Sequence, residues 1–236
     1  MTDLAMRYQR VTQTIADATF AAGRSQNSVR LLAVSKTFDS TLVEALFHKG
    51  QRAFGENYVQ EAIAKIEALK HLKPEIEWHL IGPLQSNKTA IVADHFDWVQ
   101  TIDRIKIAQR LNDQRPAHLL PLNVCIQVNI DGGLTKSGVD CTSSLQPLLD
   151  MAHQIDALPR LTLRGLLAIP EPELDVAKQQ AVFAKVKDVF DHLSKNGCKL
   201  DTLSMGMSAD FEAAIAAGST MVRIGSAIFG ERQYAA

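Results

Sequence analysis

The chain lacks a charge imbalance, a usable set of thiols and any long apolar run, and each shortage removes a class of function. Its 25 basic and 26 acidic residues leave a net charge of −1 at pH 7. No electrostatic case remains for a nucleic acid or an anionic membrane as partner. Cysteine occurs three times, at Cys125, Cys141 and Cys198. An odd, widely spaced set with no pair at metal-ligand or redox spacing predicts no metal site and points to a reducing compartment. The first ten residues are polar with no apolar core, so no signal peptide is expected, and no apolar run approaches membrane-spanning length. A cytoplasmic protein follows. Linkers, low-complexity tracts and charge blocks are missing too, so residues 1–236 read as one domain.

What is present is a rhythm. Leu4, Tyr8, Val11, Ile15 and Ala18 recur at helical spacing, so the chain opens with an amphipathic helix that Gly23 and Asn27 break. Eight short apolar runs follow, at 30–35, 52–55, 77–81, 98–102, 123–129, 162–169, 202–205 and 221–225. Helical patterns follow the runs at 41–49, 58–71, 86–94, 104–115, 143–155, 175–195 and 209–217. The pattern at 175–195 has Val182, Val186, Val189, Phe190 and Leu193 on one stripe. Gly50, Gly197 and Gly218 stand where helix C-terminal glycines belong. Strands alternating with helices predict a parallel sheet, and eight repeats in this length fit a closed (β/α)₈ TIM barrel with an extra N-terminal helix. An open doubly wound sheet would carry a glycine-rich turn after its first strand. Here that turn reads Ser35-Lys36-Thr37-Phe38-Asp39, with no glycine.

Function in such a barrel gathers at the C-terminal ends of the strands. The first run ends in Lys36, and alternation puts Leu32, Val34 and Lys36 on one face. That lysine either snorkels into water or is desolvated with a lowered pKa, suited to a Schiff base. Arg223, with Met221 and Gly225, shares a face of the eighth run, which closes against the first, so it can lie beside Lys36. Its alternative is a structural arginine paired to a carboxylate. Ser208 and Ser226 begin helical pieces at the two loops where barrels often hold phosphate, although each can be a plain helix cap. Asn57 is a pocket residue or part of a capping box, and His79 a ligand or a hydrogen-bonded core histidine. Lys136, in the turn between Asp131 and Gly138, reads equally as a solvated charge. An amine, a phosphate cradle and an arginine around one mouth describe a site for pyridoxal 5′-phosphate.

Several longer stretches resemble the pyridoxal phosphate homeostasis protein family. They are Ala33-Val34-Ser35-Lys36-Thr37, Phe54-Gly55-Glu56-Asn57-Tyr58-Val59-Gln60-Glu61 and Trp78-His79-Leu80-Ile81-Gly82-Pro83 with Leu84-Gln85-Ser86-Asn87-Lys88 after it. Leu203-Ser204-Met205-Gly206-Met207-Ser208-Ala209-Asp210 and Val222-Arg223-Ile224-Gly225-Ser226-Ala227-Ile228-Phe229-Gly230-Glu231-Arg232 complete the set. The resemblance implies the barrel of the alanine racemase N-terminal domain, with the cofactor on Lys36 as a Schiff base. It implies phosphate contacts from Ser208, Gly225 and Ser226, Arg223 at the ring nitrogen, and Asn57, His79 and Met207 lining the pocket. Two departures stand out: Phe38-Asp39 where many relatives have a lysine-proline pair, and Leu134 where an acidic residue is expected.

Two functions compete. The resemblance implies a cofactor carrier without established turnover, one that buffers pyridoxal 5′-phosphate or delivers it, with apo-enzymes as the candidate recipients, and supports amino-acid and keto-acid balance. The alternative is an amino-acid racemase or a related enzyme. Such an enzyme needs a second base on the far face of the cofactor. The chain offers Tyr8, Tyr58 and Tyr234 as its only tyrosines, and its sequence stops at Ala236, soon after the eighth run. An arginine at the ring nitrogen would also make the ring a poorer electron sink. Both points favour the carrier, and a monomer is expected.

Overall fold

The structure, a computed structural model, describes residues 2–72, 75–131 and 137–230. Leu134, Lys136, Glu231, Arg232 and Tyr234, which the sequence singles out, lie outside the described residues. Helix α1 (Thr2–Ala21) opens the chain, and strands then alternate with helices: β1 (Arg30–Val34), α2 (Ser40–Phe47), β2 (Ala53–Glu56), α3 (Val59–Ala68), β3 (Glu77–Leu80), α4 (Thr89–His95), β4 (Trp98–Ile102) and α5 (Ile105–Gln114). The second half runs β5 (Leu122–Asn129), β6 (Val139–Asp140), α6 (Gln146–Asp156), β7 (Leu161–Ala168), α7 (Val176–Lys195), β8 (Thr202–Ser204), α8 (Phe211–Ala216), β9 (Met221–Ile224) and α9 (Ser226–Phe229).

All strand pairs are parallel, in the order β1, β2, β3, β4, β5, β7, β8, β9. The cycle closes because β9 also pairs with β1, setting Arg30 opposite Met221 and Leu32 opposite Arg223. The result is the expected eight-strand barrel. The short β6, which no periodicity announces in so brief a segment, pairs with the end of β5 at Val128 and Asn129.

Local chemistry sets the helix ends. Asp39 Oδ1 accepts from the Thr41 N–H at 2.9 Å and so caps α2, while Asp175 caps α7 through the N–H groups of Ala177 and Lys178. Gly50, Gly197 and Gly218 all have positive φ just past helix ends. The helix at 58–71 stops at Ala68 and tightens into a 3₁₀ turn, Lys70–Leu72, and the one at 86–94 begins with another, Ser86–Lys88. The stripe of α7 centres on Phe183, which is buried, whereas Val182 is only half-buried.

Two apolar layers result. The larger lies between the sheet and the helices and holds Val43, Phe54, Ile66, Trp78, Phe183 and Leu203, each burial contributing about 1.5–3 kcal/mol. Leu4, Val11 and Ile15 of α1 join it, as their spacing predicts. Inside the barrel the packing is smaller and partly polar. Leu32, Val34, Ala53, Ile81 and Met221 form one cluster, and Trp98, Cys125 and Leu167 another. Among the described residues no helix is long and apolar enough to cross a membrane. All three cysteines are free.

Candidate functional site

A cavity of about 320 Å³ opens at the C-terminal ends of the strands. Lys36, Asn57, Met207, Ser208, Arg223, Gly225 and Ser226 all line it, with Val34, Ile81 and Ile169 as apolar wall. Residues spread over most of the chain therefore meet at one mouth, because each follows or ends a barrel strand.

Lys36 lies two residues past β1, in a turn, and is half-buried. The Ser35 N–H still bonds Gly55 O at 3.0 Å, so pairing with β2 reaches the residue before the lysine, and the Phe38 N–H closes a turn on Ser35 O at 3.1 Å. Thr37 then turns the chain with φ 67°. Strand alternation holds through this turn, and Val34 and Lys36 face the same space.

Arg223 is buried, 4% exposed, below Lys36 rather than beside it, since its register partner is Leu32. Its guanidinium donates to Ser204 Oγ and to the Ala168 carbonyl, both at 2.9 Å. Among the described residues no carboxylate forms an ion pair with it. Burial lowers its pKa to about 10, with the Asp210 charge acting the other way, so it stays cationic at neutral pH.

His79 does not reach the cavity. It is fully buried in the barrel interior, stacked on Trp98 with ring centroids 4.9 Å apart. The expectation that it lines the pocket is corrected to a place in a polar chain beneath it. Gln100 Nε2 donates to His79 Nδ1 at 2.8 Å, and Gln100 Oε1 accepts from Ser204 Oγ at 2.7 Å. That pairing leaves the proton on His79 Nε2, which donates to Glu77 Oε1 at 2.6 Å. Glu77 also pairs with Arg30 at 2.9 Å. An unbroken series thus runs from Arg223 at the cavity floor to Arg30 at the far end of the barrel. Burial holds the His79 pKa below its ordinary value, against the pull of Glu77. For Glu77 burial acts upward, but the hydrogen bond from His79, its charge interaction with that ring and Arg30 bring the carboxyl down to about 2. With His79 neutral, the hydrogen bond and Arg30 are what hold Glu77 ionised.

At the other end of the cavity Ser226 Oγ lies 3.2 Å from Ser208 Oγ. Ser226 begins α9, as expected, but Ser208 caps nothing: α8 starts at Phe211 after Asp210, whose carboxylate accepts from the Met207 N–H at 2.6 Å. Gly206 has φ 95°, and a Cβ there would come within 2.6 Å of Ala214 Cβ. A Cβ at Gly225 would sit 3.2 Å from Val34 O, so glycine lets β1 and the start of α9 come together.

Asn57 is not a cap either, since Tyr58 holds that position without a side-chain bond. Its Oδ1 is buried and has no hydrogen-bond partner, a state that a bound donor would relieve. The orphaned Asn57 oxygen, the paired serine hydroxyls, the close approach at Gly225 and a half-buried lysine fit a small phosphorylated aldehyde. Phe38, read from sequence as a departure at the rim, lines the cavity and stacks on Phe229 at 4.9 Å. Gln100 was missed, because nothing in a strand sequence distinguishes a buried glutamine from an exposed one. Among the described residues no cluster of histidine, cysteine, aspartate and glutamate is placed to hold a metal ion.

Comparison with known proteins agrees with this geometry. The family described as alanine racemase, N-terminal domain, matches residues 15–233. The pyridoxal phosphate homeostasis protein of Escherichia coli strain K12 is 52% identical over 235 residues, 99% of each chain. That of Pseudomonas aeruginosa is 50% identical over 236 residues, 100% of this chain and 99% of the other. Among solved structures, PipY of Synechococcus elongatus with pyridoxal phosphate bound superposes with a TM-score of 0.82 at 34% identity, over 96% of this chain and 100% of that one. An alanine racemase of Clostridium difficile shares the fold, with a TM-score of 0.73 at 15% identity, over 99% of this chain and 58% of that one.

Proposed function

The chain belongs to the pyridoxal phosphate homeostasis protein family, it binds pyridoxal 5′-phosphate and supports the balance of that cofactor, and we propose that it does so as a carrier rather than as an enzyme. In this reading the Lys36 amine bonds the aldehyde carbon, and the carbonyl oxygen leaves as water. Ser208, Gly225 and Ser226 take the phosphate, Arg223 faces the pyridine nitrogen, and Asn57 and Met207 line the ring's pocket. His79 acts from below, through Gln100 and Ser204, by holding Arg223 in place. When bound, the cofactor offers an electron sink for carbanions. The protein acts as a monomer that hands its cargo to apo-enzymes in the cytoplasm, and its three free thiols support a reducing compartment.

The observation that carries the reading is the pairing of Arg223 with a hydroxyl and a carbonyl. An arginine that keeps its proton is a pure donor. A ring nitrogen held against it would receive a hydrogen bond rather than a proton, which would weaken the electron sink that racemisation needs. The test of the site is borohydride reduction of the loaded protein, followed by peptide mapping. The adduct is expected on Lys36 and is lost in Lys36→Ala. An adduct on another lysine overturns the assignment.

A further inference from the structure

Behind Lys36, on the side of β1 away from the cavity, lies a buried charged cluster. Lys65, on α3, is 5% exposed and Glu56, at the end of β2, is 0% exposed. Alternation along β2 turns Gly55 into the barrel and Glu56 out into the helix layer, where a carboxylate needs a partner. Lys65 Nζ supplies it, donating to Glu56 Oε1 at 2.7 Å, to Glu61 Oε1 at 2.6 Å and to the Ser35 carbonyl at 2.6 Å. Ser35 Oγ donates to Glu56 Oε1 at 2.6 Å, and the Thr37 N–H donates to Glu61 Oε1.

Two of these contacts bear on Lys36 directly. The Ser35 carbonyl belongs to the peptide unit entering the Lys36 Cα, and the Thr37 N–H belongs to the one leaving it. Holding both planes fixes the direction in which the lysine side chain departs. The hold is needed because Thr37 is a β-branched residue at φ 67°. Such a conformation persists only where the surroundings over-determine it. All three acceptors of Lys65 are therefore bound up with the turn that presents Lys36, although Lys65 itself does not line the cavity.

Resting on the reading of Lys36 as the cofactor's lysine, we propose that Lys65 and Glu61 are positioning residues for it: they clamp the peptide units on either side of Lys36 and so set the amine at bonding distance from the aldehyde. Their effect falls on covalent capture and spares the rest of the pocket.

Pyridoxine 5′-phosphate separates the two, because it has an alcohol in place of the aldehyde and cannot bond the lysine. Glu61, with a side chain 29% exposed, can be truncated without leaving a buried charge bare of all partners, since Lys65 keeps Glu56 and Ser35. Glu61→Ala is expected to weaken pyridoxal 5′-phosphate by about tenfold or more, the scale of one lost bond to a charged group. It should slow formation of the borohydride-trapped Lys36 adduct, with pyridoxine 5′-phosphate affinity and the melting temperature nearly unchanged. Lys65→Met should slow adduct formation more strongly and also lower the melting temperature, since it strips the buried Glu56 of its partner, and Lys65→Arg should recover part of both losses. Equal weakening of both ligands in Glu61→Ala, or no change in either, overturns this proposal alone. A wild-type protein that forms no adduct on Lys36 overturns the site assignment and this proposal with it.

Discussion

Arg223 gives a hydrogen bond to Ser204 at 2.9 Å, and among the described residues no carboxylate forms an ion pair with it. Ser204 donates its own proton to Gln100 Oε1 at 2.7 Å, so the hydroxyl has no proton left for another acceptor and meets the guanidinium through a lone pair. The guanidinium is thereby fixed by a neutral framework and retains its full charge.

From this arrangement slow chemistry is expected. L-alanine incubated with the loaded protein in deuterated water should show no Cα exchange at ordinary enzyme rates of about 1–10³ per second. Exchange at such rates that disappears in Lys36→Ala would establish the racemase reading in place of the carrier.

Arg223→Met removes the donor to Ser204 and Ala168 and the charge at the cavity floor. Affinity for pyridoxal 5′-phosphate should fall by about tenfold or more, from one lost charged hydrogen bond of about 1.5–3 kcal/mol. A fluorescence titration that finds affinity unchanged would remove Arg223 from the site.

Ser226→Ala tests the phosphate end. The variant should lose affinity for pyridoxal 5′-phosphate and keep its affinity for pyridoxal, which has no phosphate. Parallel losses for the two ligands would mean that Ser226 supports the cavity wall and nothing more.

Gly206→Ala should destabilise the fold by about 2 kcal/mol or more, from left-handed strain at φ 95° and the contact with Ala214. The melting temperature should drop by roughly 4–8 °C. An unchanged melting curve would mean that the turn after β8 relaxes freely.

The buried His79 and Glu77 predict acid sensitivity with a definite sign. Burial holds the folded His79 pKa below 6.5, so below that pH the unfolded chain takes up a proton that the folded one refuses. Stability should then fall with decreasing pH, by up to about 1.4 kcal/mol per unit for this one group. Glu77, held at about 2 against an ordinary 4.5, adds a second loss as pH falls from 4.5 toward 2. Denaturant melts between about pH 7 and 5 should show a slope that His79→Gln flattens. Equal slopes in both proteins would show that His79 titrates normally.

The barrel was legible because eight apolar runs separated by helical patterns admit few other arrangements. The facing of Lys36 and Arg223 followed from alternation alone. Height along the barrel axis did not. Glu77 and His79 of β3 alternate in step with Ile81 just past its end, yet only Ile81 stands at cavity level, and period-two patterning carries no information about depth. The same limit hid that Arg223 lies opposite Leu32. The cap that Ser208 could have formed does not exist, and a serine before a helical pattern looks the same whether the helix starts at once or, as here, at Phe211. The role of Lys65 was out of reach: spacing places Glu61 and Lys65 four apart on α3, but only the fold brings Glu56 and Ser35 against them.

The seam between β1 and β9 bears on how the molecule is made. A nascent chain emerges at about 5–20 residues per second, so β1 is exposed well before Met221 exists. Until β9 arrives, β1 keeps one unpaired, apolar edge, the kind of edge that recruits other chains. Ties such as the hydrogen bond from Arg7 to the Ile228 carbonyl join residues 221 positions apart and form only at the finish. Val34 stands on one side of that seam and Gly225 on the other, and both are walls of the cavity. The step that shields the aggregation-prone edge is therefore the step that creates the binding site, and a chain loaded with its ligand has, by that fact, passed its last folding checkpoint.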